Sequence, residues 1–326
     1  MKHNSTYIPH RTLIGIYIFL FVLLILGAFG DYQISCALYD ESNPVAVFFA
    51  AFGECPAYLG LVAAGTMVLA ACHRQHTLTG ILPRHGNHGC SSGGNRRFSD
   101  SNGCSSKSVA HSLMDILQCS GGAALVAAGG FLTCNTPGNY LDWPDWVSIA
   151  AGLLLTVIII AATIFLCHGA DPAIVRRVAL VFSLTILGQL LLVNVLKVLW
   201  GRPRMRLVVS DARAYFMPWW QPDTSLRNTL TAAGVAADEF KSFPSGHTAD
   251  AAMAVLLVIL PCIRPELEPY RRGLFGFGFI IACVTGFTRI IMGAHYLTDV
   301  AAGFLCGFTI MILAFKLLPD TKSSNA

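Results

Sequence analysis

The chain has 326 residues, of which 54% are hydrophobic and only 12% charged. A soluble globular domain carries about 25% charged residues, so that class is excluded and an integral membrane protein is expected. The net charge of +4 is too mild to single out a partner, and no nucleic acid is expected to bind.

A helix needs about 20 apolar residues to cross the hydrocarbon core. Eight stretches qualify: 12–30, 55–72, 113–133, 147–167, 178–200, 247–263, 273–292 and 295–318. They predict an all-α, polytopic transmembrane bundle that forms one membrane domain over 1–326. The first stretch ends Ala28-Phe29-Gly30, which faintly resembles a signal-peptidase site. Its 19 residues exceed a typical signal h-region, so it reads as an uncleaved span. Residues 44–53 are apolar but too short to cross, and are expected at the interface. Residues 73–112 are rich in Gly, Ser, Asn, His and Arg and are expected to form a mobile cytoplasmic loop. His85, His88, Cys90 and Cys104 within it match no standard zinc spacing. The 11 cysteines fall mostly in apolar runs, without a Cys-X-X-Cys pair, and read as small buried hydrophobes. Cys36 and Cys55 share one predicted loop, where a pairing is open but not required.

Loop charges alternate along the chain. Lys2 and Arg11 flank the N-terminus, whereas 31–54 carries Asp31, Asp40, Glu41 and Glu54 and no cation. Basic residues return in 73–112, at Arg176 and Arg177, and at Arg264, Arg271 and Arg272. The positive-inside rule then places both termini in the cytoplasm of a plasma (cytoplasmic) membrane. One loop breaks the rule: 201–246 falls outside yet holds Arg202, Arg204, Arg206, Arg213, Arg227 and Lys241. An anion-binding site explains these cations better than the tolerance of long loops for charge.

Chemistry concentrates beside that loop. His295 and Asp299 are four residues apart at the start of the last predicted span, which puts them on one helical face. A carboxylate there can accept the imidazole N–H and leave the other nitrogen as a nucleophile. An acid within a transmembrane run is functional by default. Pro244-Ser245-Gly246-His247 opens another span. Ser245 and nearby amides suit phosphate oxygens, Gly246 allows close approach, and His247 suits a general acid. Ordinary helix capping explains Ser-Gly equally simply. Lys197, Arg204 and Arg289 stand at span ends and can stabilise the charge on a phosphoryl transition state. Arg202 is a supporting cation. Asp250, three residues after His247, either orients that ring or makes a packing hydrogen bond; the two readings stand level.

These residues resemble the type 2 phosphatidic acid phosphatase superfamily. Its first motif, Lys-X6-Arg-Pro, is matched by Lys197-Val-Leu-Trp-Gly-Arg-Pro-Arg204-Met205, with Met205 in place of the proline. The second is intact at Pro244–His247. The third reads Thr288-Arg289, His295 and Asp299 at the family spacings, with Thr288 in place of serine. The resemblance implies a six-helix core, to which 113–133 and 147–167 are additions, with the catalytic core region at 178–318. It implies hydrolysis of a lipid phosphate or diphosphate through a phosphohistidine, without metal or other cofactor. His295 would be the nucleophile, Asp299 its partner and His247 the acid. Lys197, Arg204, Ser245, Gly246 and Arg289 would bind phosphate. The rival readings are a lipid phosphotransferase and a non-catalytic lipid-binding or transport protein.

Overall fold

A computed structural model describes residues 7–81 and 102–318, and among these residues there is no β-strand. The helices are α1 (His10–Leu38), α2 (Pro44–Phe52), α3 (Cys55–Ile81), α4 (Asn102–Asn135), α5 (Asp145–Cys167) and α6 (Pro172–Trp200). Then come two short helices, α7 (Met205–Ser210) and α8 (Ser225–Ala232). The chain closes with α9 (Gly246–Ala252), α10 (Arg271–Ile291) and α11 (Leu297–Ala314). Among the described residues, seven stretches are helical, long and apolar enough to cross a membrane. Their outer faces expose Phe21, Leu154 and Leu191, among other large apolar side chains. In water such a surface would aggregate; in a bilayer it is the natural face toward lipid.

Two expectations shift. The sixth predicted span is α-helical only to Ala252 and continues as a 3₁₀-helix over Met253–Cys262. The tighter helix rises about 2.0 Å per residue against 1.5 Å. These 17 residues therefore still reach roughly 30 Å, the thickness of a hydrocarbon core. The predicted 73–112 loop is shorter than its composition suggests, because α3 continues to Ile81 and α4 starts at Asn102. Its remainder, 82–101, with His85, His88 and Cys90, lies outside the described residues. Cys36 and Cys55 are both free thiols.

In lipid, helices associate through close packing and polar contacts and not through exclusion of water. Small residues supply that packing around α9. A side chain at Gly303 of α11 would run into the Ser245 carbonyl, and one at Gly307 would crowd the Ala249 backbone. These two glycines, four apart on one face, let α11 lie directly against α9. The Pro-Ser-Gly-His segment is thereby fixed between α10 and α11.

The connections sort into two sets. Tyr39, Asp40, Ala50, Glu54, Tyr140, the 201–246 segment and the turn after α10 are linked to one another at one end of the bundle. At the other end, Arg74 donates to the carbonyls of Cys167 and Ala170, and Arg264 donates to that of Phe165. The loops grouped by charge in the sequence are the loops grouped in space.

Candidate active site

The first motif is shaped by how α6 stops. Gly201 adopts a left-handed conformation (φ 64°) and donates its N–H to the Lys197 carbonyl at 3.4 Å. A non-glycine residue is strained there, and a Cβ would also press on Asp223 and Thr224. The turn sends Arg202-Pro203-Arg204 alongside 239–242. There the Arg204 N–H donates to Glu239 O at 2.8 Å and the Ser242 N–H to Arg202 O at 3.1 Å.

The two motif arginines then part company. Arg202 is fully enclosed. It donates to Asp31 of α1 at 3.0 Å, to Asp299 at 2.5 Å and to the Met217 carbonyl at 2.8 Å, and its guanidinium lies 4.2 Å from the Tyr296 ring centre. Asp31 also accepts from the backbone and hydroxyl of Thr298, so it caps α11 from a neighbouring helix. Arg204 makes one ion pair, to Asp238 at 2.7 Å, and its buried Nε has no hydrogen-bond partner. Arg289 is 1% exposed and makes no ion pair with a carboxylate among the described residues. It meets only the Met292 sulfur, at 3.2 Å, and the Tyr140 ring face, at 5.5 Å, and its Nε is also unpartnered. Lys197 makes no ion pair, and its Nζ lies so close to Gly246 that a Cβ there would come within 2.8 Å.

His295 does not stand on the last helix. Tyr296 has extended backbone and α11 starts at Leu297, so His295 occupies the preceding turn. Its N–H and that of Ala294 both donate to the Arg289 carbonyl, at 3.2 Å. His295 and Asp299 therefore do not share a helical face, although they remain within loose ion-pair distance. Their closest approach is 3.9 Å, and His295 Nδ1 instead meets the Ser242 carbonyl at 2.5 Å. That bond makes Nδ1 the donor and leaves Nε2 unprotonated and without a hydrogen bond. Asp299 accepts from the Ser242 hydroxyl at 2.5 Å and from the Tyr296 N–H at 2.8 Å. It thus fixes Ser242, which in turn fixes the ring. Burial first, then Lys197, Arg204, Arg289 and His247, hold the His295 pKa well below the ordinary histidine range. The imidazole is neutral at neutral pH.

Ser245 donates its N–H to Asp299 O at 2.9 Å, and its hydroxyl oxygen accepts from the Thr248 hydroxyl at 2.9 Å and amide at 3.4 Å. It caps α9 and still keeps its own hydroxyl proton. Asp250 does not orient His247: it accepts from the Gln189 side chain of α6, which fills the role of a packing hydrogen bond. His247 Nδ1 instead meets Glu54 at 3.1 Å, Nε2 meets the Ala50 carbonyl at 3.1 Å, and Tyr140 packs edge-on at 5.7 Å. Thr288 bonds to its own helix through the Thr285 carbonyl, and Met205 is buried in the first turn of α7.

The three motifs thus converge on one corner: a neutral imidazole, a second histidine and three cations, two of which make no ion pair among the described residues. The PAP2 superfamily model matches residues 178–323. The phosphatidylglycerophosphatase B of Bacillus subtilis (strain 168) is 31% identical over 74 residues, 22% of this chain and 36% of that protein. The lipid A 1-phosphatase of a Rhizobium etli strain is 36% identical over 95 residues, 25% of this chain and 35% of that protein. Both matches therefore span about a third of the relative's length. No solved structure matches the chain.

The PAP2 region holds every motif residue, but it does not complete the corner. Asp31, Glu54 and Tyr140 come from the N-terminal half, and Ser242 lies just before the second motif. Two of these left a trace in the sequence. Asp31 and Glu54 are carboxylates abutting apolar runs, where a charge needs a partner. Ser242 and Tyr140 left none. Among the described residues no group of three or more His, Cys, Asp or Glu is placed to hold a metal ion.

Proposed function

We propose that the protein is a membrane-embedded, metal-independent phosphatase that hydrolyses lipid phosphates or diphosphates through a phosphohistidine. The observation that carries this reading is Arg289. Its guanidinium is buried without a counter-ion, next to the turn that presents His295 Nε2. A buried uncompensated cation is costly, and a phosphate dianion is the ligand that relieves it. Arg289 and Arg204 present guanidinium forks suited to two phosphoryl oxygens. Lys197, the Ser245 hydroxyl and the open space at Gly246 complete the cradle.

In the first step the His295 Nε2 lone pair attacks phosphorus. The bond from phosphorus to the lipid oxygen breaks, its electron pair leaves with that oxygen, and His247 supplies the proton. In the second step water attacks the phosphoryl group and gives its proton to His247. The P–N bond breaks, and its electrons return to His295. Asp299 acts through Ser242, which holds the Nδ1 proton in place. Cations take the role that magnesium plays elsewhere.

Two further observations favour a lipid. Relatives carry the names phosphatidylglycerophosphatase B and lipid A 1-phosphatase. A cavity of about 640 Å³, almost wholly apolar, also lies beside the His247 corner, lined by Phe52, Gly53, Ala63, Met67, Met253 and Thr285. A leaving group departs on the acid's side, opposite the nucleophile. Gly53 lines the cavity and Glu54 contacts His247, so the apolar part of the leaving alcohol has a place next to its oxygen.

The test is phosphate release by purified protein from a panel of lipid phosphates of varied chain length, with EDTA present. Turnover should continue in EDTA and stop with vanadate. His295→Ala should lower it by at least about 10³-fold while the protein elutes as a folded particle. Complete loss in EDTA, restored by magnesium, refutes metal independence. Near-normal turnover by His295→Ala refutes the nucleophile. Phosphate passed to a lipid acceptor and not to water would indicate a phosphotransferase, and no turnover a binding protein. We also propose that the site faces the extracytoplasmic side of a cytoplasmic membrane, with both termini inside. In a cysteine-depleted variant, Ser225→Cys should react with an impermeant maleimide on intact cells and Ser92→Cys should not; the reverse overturns the orientation.

A further inference from the structure

Glu54 stands outside the PAP2 region and outside every motif, yet it makes the closest charged contact to His247. Its Oε1 lies 3.1 Å from Nδ1, and its Oε2 accepts from the Tyr58 hydroxyl at 2.9 Å. The carboxylate is thus held on both oxygens. Across the ring, Nε2 lies 3.1 Å from the Ala50 carbonyl. A carbonyl can only accept, so Nε2 carries a proton, and Nδ1 shares a second one with Glu54. Asp250, the carboxylate nearest to His247 in sequence, is taken by Gln189.

We propose that Glu54 is the positioning residue of the general acid: it holds the His247 ring with Nε2–H aimed at the leaving oxygen and supports the protonated form. This rests on the phosphatase reading above. Lys197 from α6, Arg204 at the start of α7, Arg289 from α10 and His295 from the turn before α11 all face this corner. Tyr140 packs on the ring, and Tyr58 and Asp250 lie on the Glu54 side. Three cations repel a protonated imidazole, and one carboxylate in contact with it acts against them. A general acid in so basic a setting needs such a partner. When substrate binds, the leaving oxygen replaces the Ala50 carbonyl at Nε2. As the P–O bond breaks, its electron pair takes the Nε2 proton. Nδ1–H remains on Glu54, which keeps Nε2 aimed for the return proton from water.

An acid matters in proportion to how badly the leaving group needs a proton. A lipid alkoxide needs one; the nitrophenolate of p-nitrophenyl phosphate scarcely does. The experiment compares kcat for a lipid phosphate and for p-nitrophenyl phosphate in wild type, Glu54→Gln and Glu54→Asp. Glu54→Gln should lower kcat on the lipid phosphate by on the order of 10²-fold. Its loss on the aryl ester should be at least about tenfold smaller, and Glu54→Asp should recover part of the lipid rate. Equal losses on the two esters would mean that Glu54 only supports the fold, and an unchanged lipid rate would mean that it does nothing; either overturns the proposal. A wild type that cleaves neither ester overturns the phosphatase reading instead, and this inference with it.

Discussion

Two buried arginines, Arg202 and Arg289, sit in environments that are built in opposite ways. Around Arg202 every charge is answered: Asp31 and Asp299 flank the guanidinium, Tyr296 covers it, and Thr298 completes Asp31. Around Arg289 no carboxylate among the described residues comes within ion-pair distance, and only the Tyr140 ring and the Met292 sulfur face the guanidinium, though both arginines are 1% exposed. Burial alone therefore does not distinguish a structural cation from a binding one. Compensation does. The saturated cluster ties α1, the 201–204 turn and α11 together, whereas on the proposed reading the open cluster takes its anion from the substrate.

The sharpest way to break this contrast is to remove each arginine in turn. Arg202→Met leaves two buried carboxylates without their cation, and breaking a buried pair in this way costs about 3–5 kcal/mol. Thermal unfolding in detergent should show a loss of that order, whatever happens to activity. Arg289→Met removes an uncompensated charge, so the folded protein should be at least as stable as wild type. Its kcat/KM should nevertheless fall by about 10²–10³-fold, the usual effect of removing one transition-state donor. A destabilised Arg289→Met, or an unaffected Arg202→Met, would erase the distinction.

Arg289→Lys asks a narrower question. A lysine keeps the charge but loses the planar fork that holds two oxygens. We expect a fall in kcat/KM of about tenfold, between wild type and Arg289→Met. Rates equal to wild type would show that charge alone is needed.

The sequence made the spans legible because the hydrocarbon core imposes length and apolarity on each segment by itself. It also made the motif residues legible, since Lys197, Arg204, His247, Arg289 and His295 lie at fixed spacings near span ends. What it could not show were pairings between distant segments. Glu54 meets His247 and Asp31 meets Arg202 across the bundle, and no local rule links them. Local rules were also incomplete for two carboxylates. Spacing left Asp250 level between His247 and a packing hydrogen bond, and Gln189 takes it; spacing put Asp299 on one helical face with His295, but α11 starts two residues after His295 and the pair stands 3.9 Å apart. The family-core reading of α4 and α5 as additions likewise concealed that their connection delivers Tyr140 to His247 and Arg289.

Arg204 lies between the two extremes, and so offers the mildest and most graded test. Its partner Asp238 is largely exposed and also 3.5 Å from Lys241. Burial works to raise the Asp238 pKa, but Arg204, Lys241 and Lys197 outweigh it and hold it below its ordinary value of 3.8. A carboxyl whose folded pKa is depressed adds stability that is complete above the unfolded value and is lost as pH falls through the folded one. The stability gap between wild type and Asp238→Asn should therefore be flat from pH 7 to about 4 and close only below that. The gap itself should be under about 1 kcal/mol, because an exposed pair is screened by water and salt. The effect on binding should run the other way. Asp238 competes with phosphate for Arg204, so Asp238→Asn should bind vanadate a few-fold more tightly, by up to roughly 1 kcal/mol. If vanadate binding weakens instead, Asp238 aims Arg204 at the ligand and does not compete for it, and Arg204 then belongs with Arg202 among the cations that the protein itself has satisfied.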